Sequence, residues 1–311
     1  MKQLSLVICV YNEELNIKPL SKQIKAALND YDYEAIFVDD GSTDRTREEI
    51  KAINDDHFVL LELKRNYGQS SALQAGINQT EGKFVALLDG DLQNDPADIP
   101  MMLDLCQKED WDMVAGVRAN RQDGAFLRKL PSKVANYIIR ESTGIHMKDL
   151  GCTLKVFTSE SIKSIHIYGE LHRYIPALLA LEGSTRITQV DVNHRAREFG
   201  KSKYNLGRTT RVFSDLLLML FLKKYLQRPM HFFGTLGLVT LGIGLVINFY
   251  LLVLKLLGHD IWGKPLLILG LLLVLGGIQF ITTGILAELQ MRTYFESQKK
   301  TPFRIRKVTR L

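Results

Sequence analysis

The stretch Phe84-Val85-Ala86-Leu87-Leu88-Asp89-Gly90-Asp91-Leu92-Gln93 decides the fold. A short apolar run that stops at turn residues reads as a strand buried on both faces, the form that strands of a parallel sheet take. The two carboxylates then stand at the carboxyl edge of that strand, where open α/β sheets bind their ligands. Spaced i, i+2 in a tight turn, Asp89 and Asp91 can share one hard cation, and Gln93 adds a neutral oxygen. Mg2+ and Mn2+ take such oxygen ligands while keeping positions for phosphate oxygens. A solvated acidic turn has the same pattern, so the neighbouring loops must decide.

Outward from this strand, β-branched runs alternate with helical patterns. Strands are expected at 4–10, 34–38, 58–63, 84–88 and 113–117, with helices at about 15–29, 44–54, 69–79 and 96–108. The alternation is that of repeated βαβ units and a mainly parallel sheet. Ser42-Thr43-Asp44 offers cap oxygens for the second helix, and Asp95-Pro96 places proline in the first turn of the fourth. After Arg118 the pattern is mixed: helices at 128–141 and 171–182, a strand at 185–193, then a Gly/Lys/Arg-rich loop at 194–207.

Three further loops fall on the same sheet edge. Strand one ends in Val10-Tyr11-Asn12-Glu13, strand two in Asp39-Asp40-Gly41-Ser42-Thr43-Asp44, and strand three leads into Lys64-Arg65-Asn66-Tyr67-Gly68-Gln69. Tyrosine can stack on a base, carboxylates accept from a base edge or ribose, and basic groups suit a diphosphate. Together the loops describe a nucleotide-diphosphate pocket. No Gly-x-Gly-x-x-Gly follows a strand, and Gly200-Lys201-Ser202 has Arg195 where a phosphate loop needs glycine, so two other nucleotide motifs are excluded.

The 311 residues are 46% hydrophobic and 24% charged, with a mean hydropathy of -0.01 that averages two unlike parts. Residues 230–254 and 266–287 carry no formal charge over 25 and 22 positions. As helices they reach about 37 and 33 Å, against a hydrocarbon core of about 30 Å. They read as a transmembrane hairpin, with buried core helices as the bland alternative. The apolar run at 216–222 is too short to span; it lies either in the membrane interface or on the soluble domain. Basic residues cluster before the first span and after the second, where the tail from Arg292 has seven basic residues and one acid, a balance of +6 equal to that of the whole chain. This predicts cytoplasmic termini and catalytic part, and it makes the net charge a membrane-surface feature with no argument for nucleic acid. The first apolar run is too short for a signal peptide, and Cys9, Cys106 and Cys152 are too few and too far apart for a disulfide framework or a structural zinc.

Tyr11-Asn12-Glu13, Val38-Asp39-Asp40-Gly41-Ser42 and Asp89-Gly90-Asp91-Leu92-Gln93 resemble the motifs of family 2 glycosyltransferases with the GT-A fold. With two C-terminal spans the chain is similar to the polyprenyl-phosphate glycosyltransferases of that family, from residue 4 to about 287. The resemblance implies a cytosolic GT-A domain at 1–205, a juxtamembrane amphipathic helix at 206–229, the hairpin at 230–289 and a basic tail at 290–311. It implies that Tyr11, Glu13, Asp40 and Asp89 hold the nucleotide sugar and that Asp89, Asp91 and Gln93 hold Mg2+ or Mn2+. Asp149 takes the acceptor-side aspartate position, and Arg197 and Lys203 lie in the loop that closes over the diphosphate. Arg128, Ser132, Arg197 and Ser202 match positions for the acceptor phosphate. Cys9 departs from the proline of many members, and Gly151-Cys152-Thr153 departs from their usual residues after the aspartate.

The implied reaction is inverting transfer of a sugar from a nucleotide sugar, UDP preferred, to a polyprenyl phosphate such as undecaprenyl phosphate at the inner membrane. A GDP-mannose-dependent mannose synthase and a noncatalytic nucleotide-sugar-binding scaffold are the alternatives. The resemblance also allows a homo-oligomer, and a flippase or downstream glycosyltransferase as partner. A processive polysaccharide synthase would need Gln-x-x-Arg-Trp, which is absent, since the tryptophans Trp111 and Trp262 follow Asp110 and Ile261.

Overall fold

The computed structural model describes residues 2–118, 147–169, 171–183, 186–197, 225 and 229–297. It divides into two compact units, Met1–Leu217 and Leu218–Leu311.

The first unit is built on a sheet of seven strands in the order β3-β2-β1-β4-β6-β5-β7. These are β1 (Leu4–Val10), β2 (Tyr33–Asp39), β3 (Phe58–Glu62), β4 (Phe84–Asp89), β5 (Met113–Arg118), β6 (Lys155–Thr158) and β7 (Ile187–Val192). The central strands are mainly apolar on both faces, as in a covered parallel sheet; Leu4, Leu6, Ile8, Phe37 and Leu88 are fully buried. The helices among them are α1 (Glu14–Ala27), α2 (Thr46–Lys51), α3 (Gln69–Gln79), α4 (Ile99–Lys108), α5 (Ser159–Lys163) and α6 (Ile175–Leu181).

Register places the site. Parallel pairing sets Val10 beside Asp39, Cys9 beside Asp89, and Asp39 beside Glu62, so the loops after β1, β2, β3 and β4 leave one edge together. β6 runs antiparallel to both β4 and β5, with Leu87 opposite Lys155 and Ala115 opposite Lys155. The segment before Lys155 is thereby delivered to the same edge.

Most sequence expectations hold to within a few residues, with three corrections. β6 and α5 were not anticipated. The helix expected at 171–182 is a 3-10 turn, Leu171–Tyr174, followed by α6, because Pro176 has no N–H to continue a ladder and its ring excludes the carbonyl of His172. Ser42 and Thr43 do not cap α2. The Ser42 hydroxyl accepts from the Asn12 N–H at 2.9 Å and the Thr43 N–H donates to Asn12 Oδ1 at 2.8 Å, which ties the β1 loop to the β2 loop. Asp44 does serve the helix start, accepting from the Thr46 N–H at 3.0 Å, and Asp95 accepts from the Ala97 N–H as expected. The helix expected at 128–141 lies outside the described residues, as does the juxtamembrane segment apart from Tyr225 and Pro229.

The second unit contains α7 (Pro229–Leu256) and α8 (Pro265–Ser297). In the most apolar window of each, only 17% and 11% of the residues are buried, unlike a soluble core helix. Side chains such as Val246, Phe249, Leu272 and Leu275 stand exposed along them. Both helices are long and apolar enough to cross a bilayer. Glycines let them pack closely: a Cβ on Gly277 would lie 2.6 Å from the Leu241 nitrogen, and one on Gly244 would lie 2.7 Å from the Val274 nitrogen.

Candidate active site

Asp89 ends β4 and Asp91 follows two residues later, with the turn at Gly90 pressed onto the first strand. A Cβ on Gly90 would stand 2.5 Å from Val10 Cγ1, so glycine is required there for close approach. Leu92 adopts φ +62° with its side chain buried, a left-handed conformation that is costly for leucine and holds the acidic loop in one shape.

Asp89 accepts a hydrogen bond from Gln69 Nε2 at 2.9 Å and another from the Thr153 side chain. Burial, followed by the neighbouring charge of Asp91, pushes its carboxyl up to about 6. A buried carboxylate raised by a second carboxylate beside it is the condition that a divalent cation relieves. Among the described residues no cluster of three His, Cys, Asp or Glu side chains forms a closed metal cage. The donor set fits Mg2+ or Mn2+ completed by phosphate and water oxygens and does not fit a structural zinc. Gln93 is turned elsewhere: its Nε2 approaches the Arg195 carbonyl at 3.5 Å, and its own carbonyl accepts from the Arg195 N–H at 2.8 Å.

Arg197 reaches this carboxylate pair from the segment after β7. Its Nη2 lies 2.7 Å from Asp91 Oδ2 and its Nη1 lies 3.5 Å from Glu13 Oε1, so the β1 loop, the β4 loop and the post-β7 segment meet at one guanidinium. Glu13 also accepts from Asn16 Nδ2. Tyr11 lies half-buried at the mouth of the β1 loop. Asp40 uses its two oxygens to accept the backbone N–H groups of Tyr67 and Gly68 at 2.7 and 2.9 Å, fixing the loop that leads into α3. It is an anchor of the pocket wall, with lone pairs left over for a ligand.

Asp149 is gripped by a residue that pattern reading passed over. Arg118, at the end of β5, donates Nε to Asp149 Oδ2 at 2.6 Å and Nη2 to Oδ1 at 2.9 Å, while the Gly151 N–H donates to Oδ1 at 3.0 Å. Burial favours the neutral acid, but the hydrogen bonds and charge of Arg118 outweigh it and hold the carboxyl below its ordinary value. Asp149 is an ionised anchor and a poor proton acceptor. Beneath the site, Lys155 is buried and donates Nζ to the Cys152 carbonyl, and burial lowers its pKa. Cys9, next to Asp89 in the sheet, is pushed well up, first by burial and then by Asp89 and Asp40. His172 shares a 2.8 Å contact between Nδ1 and Ser70 Oγ and is held neutral by burial, with its pKa lowered to about 3.

The structure therefore brings Glu13, Asp89, Asp91 and Arg197 together, places Asp40 in the wall and Gln93 in the loop contact, and pairs Asp149 with Arg118. Arg128, Ser132, Ser202 and Lys203 lie outside the described residues. Arg118 had one available signal, a charged residue directly after an apolar strand, as at Asp39 and Asp89.

The profile of glycosyl transferase family 2 matches residues 5–165, which include the β1, β2 and β4 loops, Arg118 and Asp149. The chain belongs to glycosyltransferase family 2. The family 2 assignment agrees with full-length relatives. The dodecaprenyl-phosphate galacturonate synthase of Rhizobium johnstonii is 44% identical over 313 residues, covering 98% of this chain and 93% of the relative. The undecaprenyl-phosphate 4-deoxy-4-formamido-L-arabinose transferase of Yersinia pestis is 35% identical over 315 residues, covering 99% and 94%. Both relatives are polyprenyl-phosphate glycosyltransferases, and the resemblance read from the motifs is borne out. The fold is that of glucosyl-3-phosphoglycerate synthase from Mycobacterium tuberculosis, crystallised with Mn2+, UDP and phosphoglyceric acid. The match has a TM-score of 0.58 at 21% identity and covers 70% of this chain and 78% of that one. This glycosyltransferase thus has the GT-A-like sheet expected of it.

Proposed function

We propose that the chain transfers a sugar, with inversion, from a UDP-sugar to a polyprenyl phosphate such as undecaprenyl phosphate at the cytoplasmic face of the inner membrane. The observation that supports this reading is the contrast of two carboxylate environments on one edge: Asp89 is raised by burial and by the charge of Asp91, which itself holds the Arg197 guanidinium, whereas Asp149 is held ionised by Arg118. An aspartate on the proposed acceptor side that takes up protons poorly suits a nucleophile that arrives charged. A phosphate monoester has its second pKa near about 6 and is largely dianionic in the cytosol.

An acceptor phosphate oxygen forms the bond to the anomeric carbon, and the bond from that carbon to the UDP oxygen breaks with its electron pair on the diphosphate. Asp89 and Asp91 would hold Mg2+ or Mn2+, which supplies Lewis-acid stabilisation of that developing charge. Arg197, which pairs with Asp91 and Glu13, is assigned to the diphosphate, with Lys203 assigned beside it by the motif. Tyr11, Glu13 and the remaining lone pairs of Asp40 are assigned to the nucleoside. Arg128, Ser132 and Ser202 are assigned to the acceptor phosphate. The two relatives named above support the lipid acceptor, and the galacturonate synthase makes UDP-galacturonate the first donor to try.

The test is a panel of UDP-galacturonate, UDP-4-deoxy-4-formamido-L-arabinose, UDP-glucose and GDP-mannose, each incubated with purified protein, Mn2+ and undecaprenyl phosphate, with the lipid product weighed by mass spectrometry. One glycosylated lipid with stoichiometric UDP release is expected, and Asp91→Ala should abolish both. Tight nucleotide-sugar binding with no lipid product from any donor would favour the scaffold reading.

A further inference from the structure

The segment 193–197 is fastened along the acidic loop by contacts that the proposed chemistry does not require. The Asn193 N–H donates to Asp98 Oδ2 at 2.7 Å, and Asn193 Nδ2 donates to Asp98 Oδ1 at 2.9 Å. Asn94 and His194 form an antiparallel bridge, the Arg195 N–H donates to the Gln93 carbonyl, and the Arg195 guanidinium pairs with Asp95. Five positions after β4, Asp91, Gln93, Asn94, Asp95 and Asp98, are thus tied to a short strap after β7. The last contact of the series is Arg197 on Asp91, with Glu13 on its other arm.

We propose that this strap makes Arg197 a stand-in for the divalent cation, so that the metal enters efficiently only together with a nucleoside diphosphate that draws the guanidinium away. The inference rests on the proposed metal-holding role of Asp91. The oxygen that a cation needs, Asp91 Oδ2, is the one Arg197 occupies at 2.7 Å. The Asp91 side chain is only 11% exposed, so water does little to screen the competition. A diphosphate offers the guanidinium a bidentate partner and offers the metal its missing oxygens, and both halves of the exchange then run in the same direction. An open pair of carboxylates would take up metal with or without donor. A strapped pair couples the two bindings, and by linkage each ligand must raise the affinity for the other by the same factor.

The experiment is Mn2+ titration of the intact, detergent-solubilised protein, read by electron paramagnetic resonance of free Mn2+, with and without UDP. Wild type should bind Mn2+ weakly alone and much more tightly with UDP. If the paired state holds about nine-tenths of the molecules, Arg197→Gln should tighten Mn2+ binding without nucleotide about tenfold. The same variant should show a smaller enhancement by UDP than wild type. Arg197→Lys, which keeps the charge, should stay near wild type in the metal-only titration. Asp91→Asn should lose Mn2+ binding in either condition. Unchanged or weaker metal-only binding in Arg197→Gln, with Asp91→Asn still defective, would overturn the stand-in while sparing the metal site. Normal Mn2+ binding in Asp91→Asn would overturn both.

Discussion

Arg118 and Asp149 meet through two parallel hydrogen bonds, with side chains 12% and 13% exposed, and the geometry assigns the aspartate its electrostatic work. Because the folded pKa of Asp149 is lowered, the pair stabilises the fold above the unfolded value near 3.8, and that contribution is lost as pH falls through the folded value. Asp149→Asn should therefore cost about 2–3 kcal/mol at pH 7, as expected for a hydrogen-bonded charge, and the gap to wild type should close below about pH 4. Thermal unfolding in detergent at several pH values measures it. The variant should keep the shape of the pH–rate profile above pH 6 and lose less turnover than Arg197→Ala, which removes the charge proposed to meet the diphosphate. A profile that loses a basic limb in Asp149→Asn would make the aspartate a proton acceptor after all. His172 provides a second titration. Burial lowers its folded pKa to about 3, so only the unfolded chain takes up a proton as pH falls from about 6.5, and stability drops over that window by at most about 1.4 kcal/mol per pH unit. His172→Gln should flatten that slope between pH 6.5 and 5; an unchanged slope would assign it to other groups.

At the scale of elements, the seam between α7 and α8 gives a comparison between adjacent residues. A Cβ on Gly277 would strike the Leu241 backbone at 2.6 Å, whereas one on Gly276 would meet nothing within 4 Å. Gly277→Val should lower the stability of the hairpin by about 1–3 kcal/mol and Gly276→Val should leave it nearly unchanged, as read by unfolding in detergent. Equal effects would remove the seam as the source of close packing. Elements with one strong period were legible in the sequence: β1 and α3 have the expected bounds, because an unbroken apolar run and a helix between glycine and threonine leave little choice. β6 was not legible, since four residues beginning with lysine look like a loop, and only the sheet shows that Lys155 is buried between β4 and β5. For the same reason Asp89 and Asp91 could be found by spacing, whereas the grip of Arg118 and the reach of Arg197 span 31 and 106 positions and have no local signature.

At the scale of the whole chain, the uneven lysine and arginine distribution makes a topological prediction. A reporter fused after Gly258, in the turn between the apolar helices, should face the noncytoplasmic side, and one at Leu311 the cytoplasm. Cytoplasmic signals from both would overturn the two-span arrangement. The strand order has a temporal consequence as well. Among the described strands, β5 pairs only with β6 and β7, and the outer edge of β4 pairs only with β6. A growing chain that has just released Arg118 therefore holds β5 without a neighbour and an apolar β4 with one open edge. At about 5–20 residues per second, the 37 positions to Lys155 leave that edge waiting for roughly 2–7 s. Until β6 arrives the nascent sheet is exposed to pairing with strangers, so the vulnerable period of biosynthesis comes before the first apolar helix has been made at all.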